Sequence, residues 1–206
     1  EVLSYFESRF IELVAAPELA ASDLKNILNQ RKNLKAVTVR HWDAESSHMQ
    51  MSVAGGVLTQ SLDQQLEEPL KGVTEVTWPS SLNALAHFGV FCNKLLKINS
   101  VCLVHEDQDK DYCMVGAGQG QPNRVEAMQK LAIPRAQAVT NKAILDDCVL
   151  ISDAFFPFRD SVDVAASVGI RYIVQPGGSI KDSAIIAACN EHRIAMALTG
   201  YRHFRH

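Results

Sequence analysis

From residue 80 onward, short apolar runs alternate with stretches of helical character, and this alternation restricts the fold more than any other feature. SVCLV (Ser100 to Val104), YCMVGA (Tyr112 to Ala117), CVLIS (Cys148 to Ser152), IRYIVQ (Ile170 to Gln175) and IAMALT (Ile194 to Thr199) read as strands rich in branched and apolar side chains. Between them DSVDVAASVG and IKDSAIIAACNEHR read as helices. A further helical region runs from Arg124 to Asp146, with Pro134 suited to the first turn of a second helix. Ser80 is placed to cap a helix reaching about Leu96, with Leu82, Leu85, Ala86, Val90, Leu95 and Leu96 at near-helical spacing. The order is α-β-β-α-β-α-β-α-β. Strands that are apolar throughout need cover on both faces, and crossover helices supply it. The expected fold is α/β: a three-layer α/β/α sandwich around a mixed, mostly parallel sheet, with one antiparallel strand from the hairpin around HEDQDKD.

The first 80 residues are expected to form a smaller α/β segment that connects to a C-terminal subdomain over 81–206. Helices are predicted over Val2 to Phe10 and Ser22 to Gln30, and strands over Ile11 to Ala15, Lys35 to Val39 and Met49 to Val53. Residues 61–80 are polar, contain proline, and read as a connection. Apolar residues make up 47% of the chain, enough for a sizeable core. A net charge of −3 argues against a general nucleic-acid binder and leaves room for a local basic pocket. No run approaches the roughly 18 apolar residues of a membrane span. The opening EVLSYFESRF has acid where a secretory segment carries base, and a first residue other than Met suits a piece of a longer protein. Five widely spaced cysteines, an odd number, suit reduced buried thiols in the cytoplasm. Without CxxC, HxE or HExxH, a metal site has no support.

In open α/β sheets ligands gather beyond the carboxyl ends of the strands. Four unusual segments fall there: GQGQPNR, AFFPFRD, PGGS and GYRHFRH. Each has two readings. The glycines of GAGQGQPNR (Gly116 to Arg124) either let a backbone approach an anion at a helix start or form a flexible turn. The rings of DAFFPFRD (Asp153 to Asp160) either stack on a flat heterocycle or close the sheet edge, and Asp160 either meets a ligand or caps the next helix. PGGS (Pro176 to Ser179) is a ligand loop or a capped turn. RHFRH (Arg202 to His206) is a phosphate-binding pair of guanidinium groups or a solvated basic tail. Asn99 sits at a helix-to-strand junction, where a turn-forming role is the ordinary one. His41, His48, His87, His105, His192, Trp42 and Trp78 show no partner pattern and read as structural.

Together these segments resemble AICAR transformylase, the folate-dependent formyltransferase of purine synthesis, which in most organisms is fused behind an IMP cyclohydrolase. KINSV, GAGQGQPNR, SDAFFPFRD, QPGGSIKD and TGYRHFRH stand in the family's order and spacing over residues 97–206, and FIELVAAP, KNLKAV and VAGGVLTQ are similar to earlier family segments. The resemblance implies a cytidine-deaminase-like fold without the deaminase zinc. It implies that Asn99, Arg124, Phe155 and Arg202 contact the AICAR nucleotide, Arg202 at its phosphate across a dimer interface. It also implies that Val125, Asp160, Ser179, Ile180 and His206 lie along 10-formyltetrahydrofolate, and that the protein is a homodimer with shared active sites that needs no metal, nucleic acid or membrane. In the implied reaction the 5-amino group of AICAR attacks the formyl carbon, a His takes the proton, and a Lys supports the developing charge. That Lys-His pair lies upstream in the family, and no Lys-His dipeptide occurs here, so no catalytic residue is assigned in this chain and it is expected to be inactive alone. Gln119 and Ile98 depart from the usual residues, and the hairpin tip is longer than usual. The alternatives are a non-catalytic nucleotide- or folate-binding module derived from that enzyme, and an unrelated α/β interaction domain.

Overall fold

The computed structural model describes residues 10–16, 33–38, 48–63, 69–203 and 205. The helices predicted over Val2 to Phe10 and Ser22 to Gln30 lie outside the described residues, apart from Phe10. The chain divides into two compact units, Glu1–Leu62 and Asp63–His206.

In the first unit, β1 (Leu13–Ala16) and β2 (Lys35–Thr38) pair in parallel, close to their expected positions. β3 (His48–Val53) forms an antiparallel hairpin with β4 (Gly56–Ser61). The sequence reading stopped at Val53 and missed β4. Gly55, at φ +82°, supplies the left-handed turn that brings the chain back.

The second unit is built on one six-stranded sheet in the order β5-β10-β9-β8-β6-β7. Its strands are β5 (Lys71–Gly72), β6 (Val101–Glu106), β7 (Tyr112–Gly118), β8 (Val149–Ser152), β9 (Tyr172–Gln175) and β10 (Ala195–Leu198). Only the β8–β9 and β9–β10 pairings are parallel. β6 runs antiparallel to both β7 and β8, and β5 runs antiparallel to β10. The sheet is therefore mixed rather than mostly parallel. Two features turn it: the hairpin inserts its first strand between β7 and β8, and β5 comes from residues that read as a connection. Because β6 opposes both neighbours, β7, β8, β9 and β10 all point the same way.

The branched alternation of the strands fills two cores, one per face. Val101, Leu103, Leu150, Ile173 and Met196 point to one; Cys102, Val104, Ile151, Val174 and Ala197 point to the other. α1 (Asn83–Lys94) covers the second face with Leu85, Ala86 and Val90. Gly89 lets α1 settle closely, since a Cβ there would stand 2.6 Å from Ile151 Cγ1. Ser80 does not cap α1: it opens a 3-10 turn (Ser80–Leu82) without a side-chain cap. Instead Trp78 Nε1 donates to Asn83 Oδ1 at 2.9 Å.

The first face is covered by α2 (Arg124–Glu126), a π-helical segment (Ala127–Ala132) and α3 (Ile133–Thr140), together with α4 (Asp160–Ser167) and α5 (Asp182–Glu191). Pro134 stands in the first turn of α3, as expected, and the chain runs into it from the π-helical segment without a gap. Proline lacks an N–H and crowds the carbonyl four residues back, and the wider π turn just before it absorbs that conflict. The helix ends at Thr140, short of the expected Asp146, on Asn141 in the left-handed region (φ 54°).

Candidate functional site

Since β7 through β10 run one way, the segments that follow them emerge along one edge of the sheet. There the structure ties three other stretches of chain to Asp153, the residue just after β8, which is 2% exposed. Its Oδ1 accepts from Arg124 Nε at 2.8 Å, and its Oδ2 accepts from Ser100 N at 2.9 Å. Its backbone N donates to Ser100 O, and its backbone O accepts from His203 N. Arg124, Ser100 and the C-terminal segment thus meet at one residue.

Asn99, half-buried beside Ser100, donates through Nδ2 to the carbonyls of Gln121 and Pro122, each at 3.0 Å. Its Oδ1 meets no donor among the described residues. Arg124 uses Nε on Asp153, and its two terminal nitrogens likewise meet no acceptor among the described residues. One accepting oxygen and one guanidinium fork are left for a ligand.

The second cluster is aromatic and cationic. The Arg202 guanidinium lies 4.4 Å from the centroid of the Phe155 ring, and an Arg202 terminal nitrogen would stand 3.9 Å from a Cβ on Gly178. The loops after β8, β9 and β10 therefore meet at Arg202, which is exposed. Lys181 Nζ sits 4.0 Å over Phe158, and Ile180 is 99% exposed. Ser179 Oγ accepts from Lys181 N. Gly178 N already donates to Asp182 Oδ2 at 2.7 Å, so that amide is not free for an anion. Next to Arg124, a pocket of about 340 Å3 is lined by Val125, Pro157, Phe158 and Asp160 among others. Asp160 opens α4 as its first helical residue rather than its cap, and accepts from Ser161 N at 2.7 Å.

Two sequence readings change. Gly116 and Gly118 lie within β7 and serve packing: a Cβ would stand 2.1 Å from Ala132 O at the first and 2.0 Å from Ala127 O at the second. The helix start after them is capped by Asn123, whose Oδ1 accepts from Glu126 N. Within RHFRH the described residues His203 and Arg205 are tied to the fold. His203 is buried, with Nδ1 2.6 Å from Asp63 Oδ2; Arg205 Nη1 donates to Leu95 O, and Arg205 O accepts from Ile98 N.

Of the residues singled out from sequence, Asn99 and Arg124 converge near Asp153, Phe155 pairs with Arg202, and Val125 and Asp160 share the pocket. Ser179 and Ile180 stand on the loop after β9, and His206 lies outside the described residues. Sequence reasoning missed Asp153, Gln175 and the Asp63–His203 pair. Gln175 is fully buried, and its Oε1 accepts from Phe156 N at 2.7 Å, which holds the aromatic loop to β9. Gln175, a polar residue ending an otherwise apolar strand, and Asp153, an acid just past one, carried an available signal; nothing local announces a partner 140 residues away. His192 meets Asp163 at 2.7 Å, and Asp163 also binds Arg159. Arg159 and then His192 hold the Asp163 carboxyl below the usual range, and Arg159 does the same for Glu191. Among the described residues no group of three or more His, Cys, Asp or Glu is placed to hold a metal ion.

Fold and site together define a mixed α/β protein whose sheet edge presents guanidinium groups beside aromatic rings. The chain belongs to the AICARFT/IMPCHase bienzyme family, whose model matches residues 1–135. It is 39% identical over 200 residues to the bifunctional purine biosynthesis protein PurH of Persephonella marina, and 40% identical over 198 residues to that of Clostridium perfringens. The Lactiplantibacillus plantarum PurH is 41% identical over 206 aligned positions. Each alignment covers 96% of this chain but only 37%, 36% and 38% of the respective relative. The chain thus spans little more than a third of the length of these curated relatives. No helix among the described residues is long and apolar enough to cross a membrane.

Proposed function

We propose that this chain is the C-terminal part of an AICAR transformylase, on a cytidine-deaminase-like fold, and that it holds AICAR and 10-formyltetrahydrofolate for formyl transfer in the cytoplasm. The observation that supports the reading is that two clusters, Asn99 with Arg124 and Phe155 with Arg202, stand on one sheet edge and come from separate segments of a chain belonging to the bienzyme family. The guanidinium of Arg202, held against the Phe155 ring, takes the nucleotide phosphate at the site shared between two copies. The Phe155 ring lines the nucleotide pocket. Asn99 Oδ1 accepts from a ligand N–H, since its amide nitrogen is committed to two carbonyls. The pocket beside Val125 and Asp160 takes the folate, and Ser179 and Ile180, on the loop after β9, lie along it when it binds.

In the reaction the 5-amino nitrogen of AICAR forms a bond to the formyl carbon, the amine proton passes to a base, and the bond from that carbon to N10 of the folate breaks as N10 takes up a proton and leaves as the amine of tetrahydrofolate. The folate carries the reactive carbon, so this chain's residues contribute position and charge complementarity. No Lys-His dipeptide occurs in the sequence, and the base belongs to another part of the enzyme. That same absence favours a second reading, a binding module that retains the pocket without turnover. Two copies sharing sites complete the first reading.

Calorimetric titration with AICAR, beside an Arg202→Ala variant, tests the proposal. Loss of a charge-assisted contact costs roughly 1.5–3 kcal/mol, about ten- to a hundredfold in affinity. Saturable binding weakened by that factor supports it; equal affinity in both proteins refutes the phosphate role. Formyl transfer assayed on the protein carrying the Lys-His region then separates enzyme from binding module.

A further inference from the structure

We infer that Asp153 is a positioning residue for ligand binding, acting through Arg124; the inference rests on the nucleotide reading above. A carboxylate buried this deeply is costly unless its charge is paired and its lone pairs are filled. Asp153 has both oxygens engaged within the protein, one on Arg124 Nε and one on Ser100 N. It has no spare oxygen for a ligand and does not touch one.

What it does is fix a guanidinium. Arginine carries five donors in a rigid plane, so holding Nε sets the plane and the direction of the terminal fork. The Arg124 side chain is 12% exposed and that of Asp153 only 1%, so the pair is little screened by solvent. Arg124 springs from the start of α2, where Asn123 caps the backbone, and the side chain has only Asp153 to orient it among the described residues. The same carboxylate holds Ser100 N, and so pins the turn that carries Asn99. Asp153 thereby sets the spacing between the Arg124 fork and the Asn99 amide, the two groups proposed to contact the nucleotide on this side of the site. A ligand then meets a prepaid orientation rather than one it must impose.

The test is a double-mutant cycle read by AICAR affinity, using the parent, Asp153→Asn, Arg124→Ala and the double variant. Asparagine keeps an acceptor for Ser100 N and removes the charge that holds Arg124. The expected result is a loss of about tenfold or more for each single variant, with the double variant no weaker than Arg124→Ala. If Asp153→Asn costs the same factor in both backgrounds, or nothing in either, the positioning role is overturned. If Arg124→Ala leaves affinity unchanged, the nucleotide reading itself fails at that residue. Should Asp153→Asn not fold, the unmodified protein still decides the matter. The Arg124 Nε–H resonance is expected to exchange slowly with water and to persist under saturating AICAR; rapid exchange, or its loss on binding, overturns the inference.

Discussion

Replacing Gly118 with alanine separates the two meanings of the glycine-rich segment. The added Cβ would stand 2.0 Å from Ala127 O, 2.6 Å from Ala127 C and 3.0 Å from its Cα. A carbon and a carbonyl oxygen settle at about 3.3 Å or more, so the helix must retreat by more than an ångström. The obstacle is backbone and cannot rotate away. Ala127, Met128 and Ala132 are each fully buried against the sheet, so the retreat loosens their contacts as well. Overpacking of this kind costs about 1–3 kcal/mol, and backbone collision places Gly118→Ala near 3. At roughly 2–4 °C per kcal/mol for a chain of this size, the melting temperature falls by about 6–12 °C. Gly120→Ala is the control: nothing lies within 4 Å of its Cβ, and its φ of +65° costs about 1–2 kcal/mol in strain. Urea unfolding of both variants, followed by circular dichroism, reads the difference. A Gly118→Ala protein as stable as its parent, or less damaged than Gly120→Ala, would refute the packing account and return the segment to a ligand loop.

Three further outcomes follow from the same structure. Gln175→Leu keeps the volume but leaves Phe156 N–H buried without its acceptor, so unfolding should come about 1–3 kcal/mol earlier; an unchanged urea midpoint contradicts it. Burial pushes the Cys148 and Cys189 thiols up to about 12 and Cys102 well above its usual value. Mass spectrometry after iodoacetamide at pH 8 should therefore find these three unmodified in native protein and all five cysteines modified after unfolding, whereas native labelling of Cys148 would refute their burial. The lowered Asp163 carboxyl stabilises the fold above its unfolded pKa, and that contribution is lost as pH falls through its folded value. Asp163→Asn should accordingly be less stable than the parent near neutrality, with the gap closing in acid and shrinking in high salt; a gap independent of pH would contradict the sign.

Strand periodicity gave the second unit's elements to the sequence reading, because residues apolar on both sides of a strand signal a sheet covered on both faces. β6 to β10 all fall where apolar runs predicted them. Pairing partners were harder. Whether the first or second strand of the hairpin joins β8 depends on packing against α1 and α3, which no local pattern encodes. β5 is two residues of polar chain that pair with the edge of β10, held there by Leu70 and Val73 packing against the cores on either side. The strand-end segments were legible as a group because their direction follows from strand order. Their internal bonding was not: Asp153 reads locally as part of an aromatic motif, and its partners are 29 and 53 residues away. The glycines show why composition misleads, since close approach is needed as much by a packed helix as by a phosphate.

The most direct test of the central claim is a crystal structure of the chain soaked with AICAR. The account predicts the nucleotide at the edge where β7 to β10 end, its phosphate on Arg202, its base beside Phe155, and Arg124 still bound to Asp153. Nucleotide density at any other place on the sheet, or at this edge without contact to Arg124, Phe155 and Arg202, would contradict it.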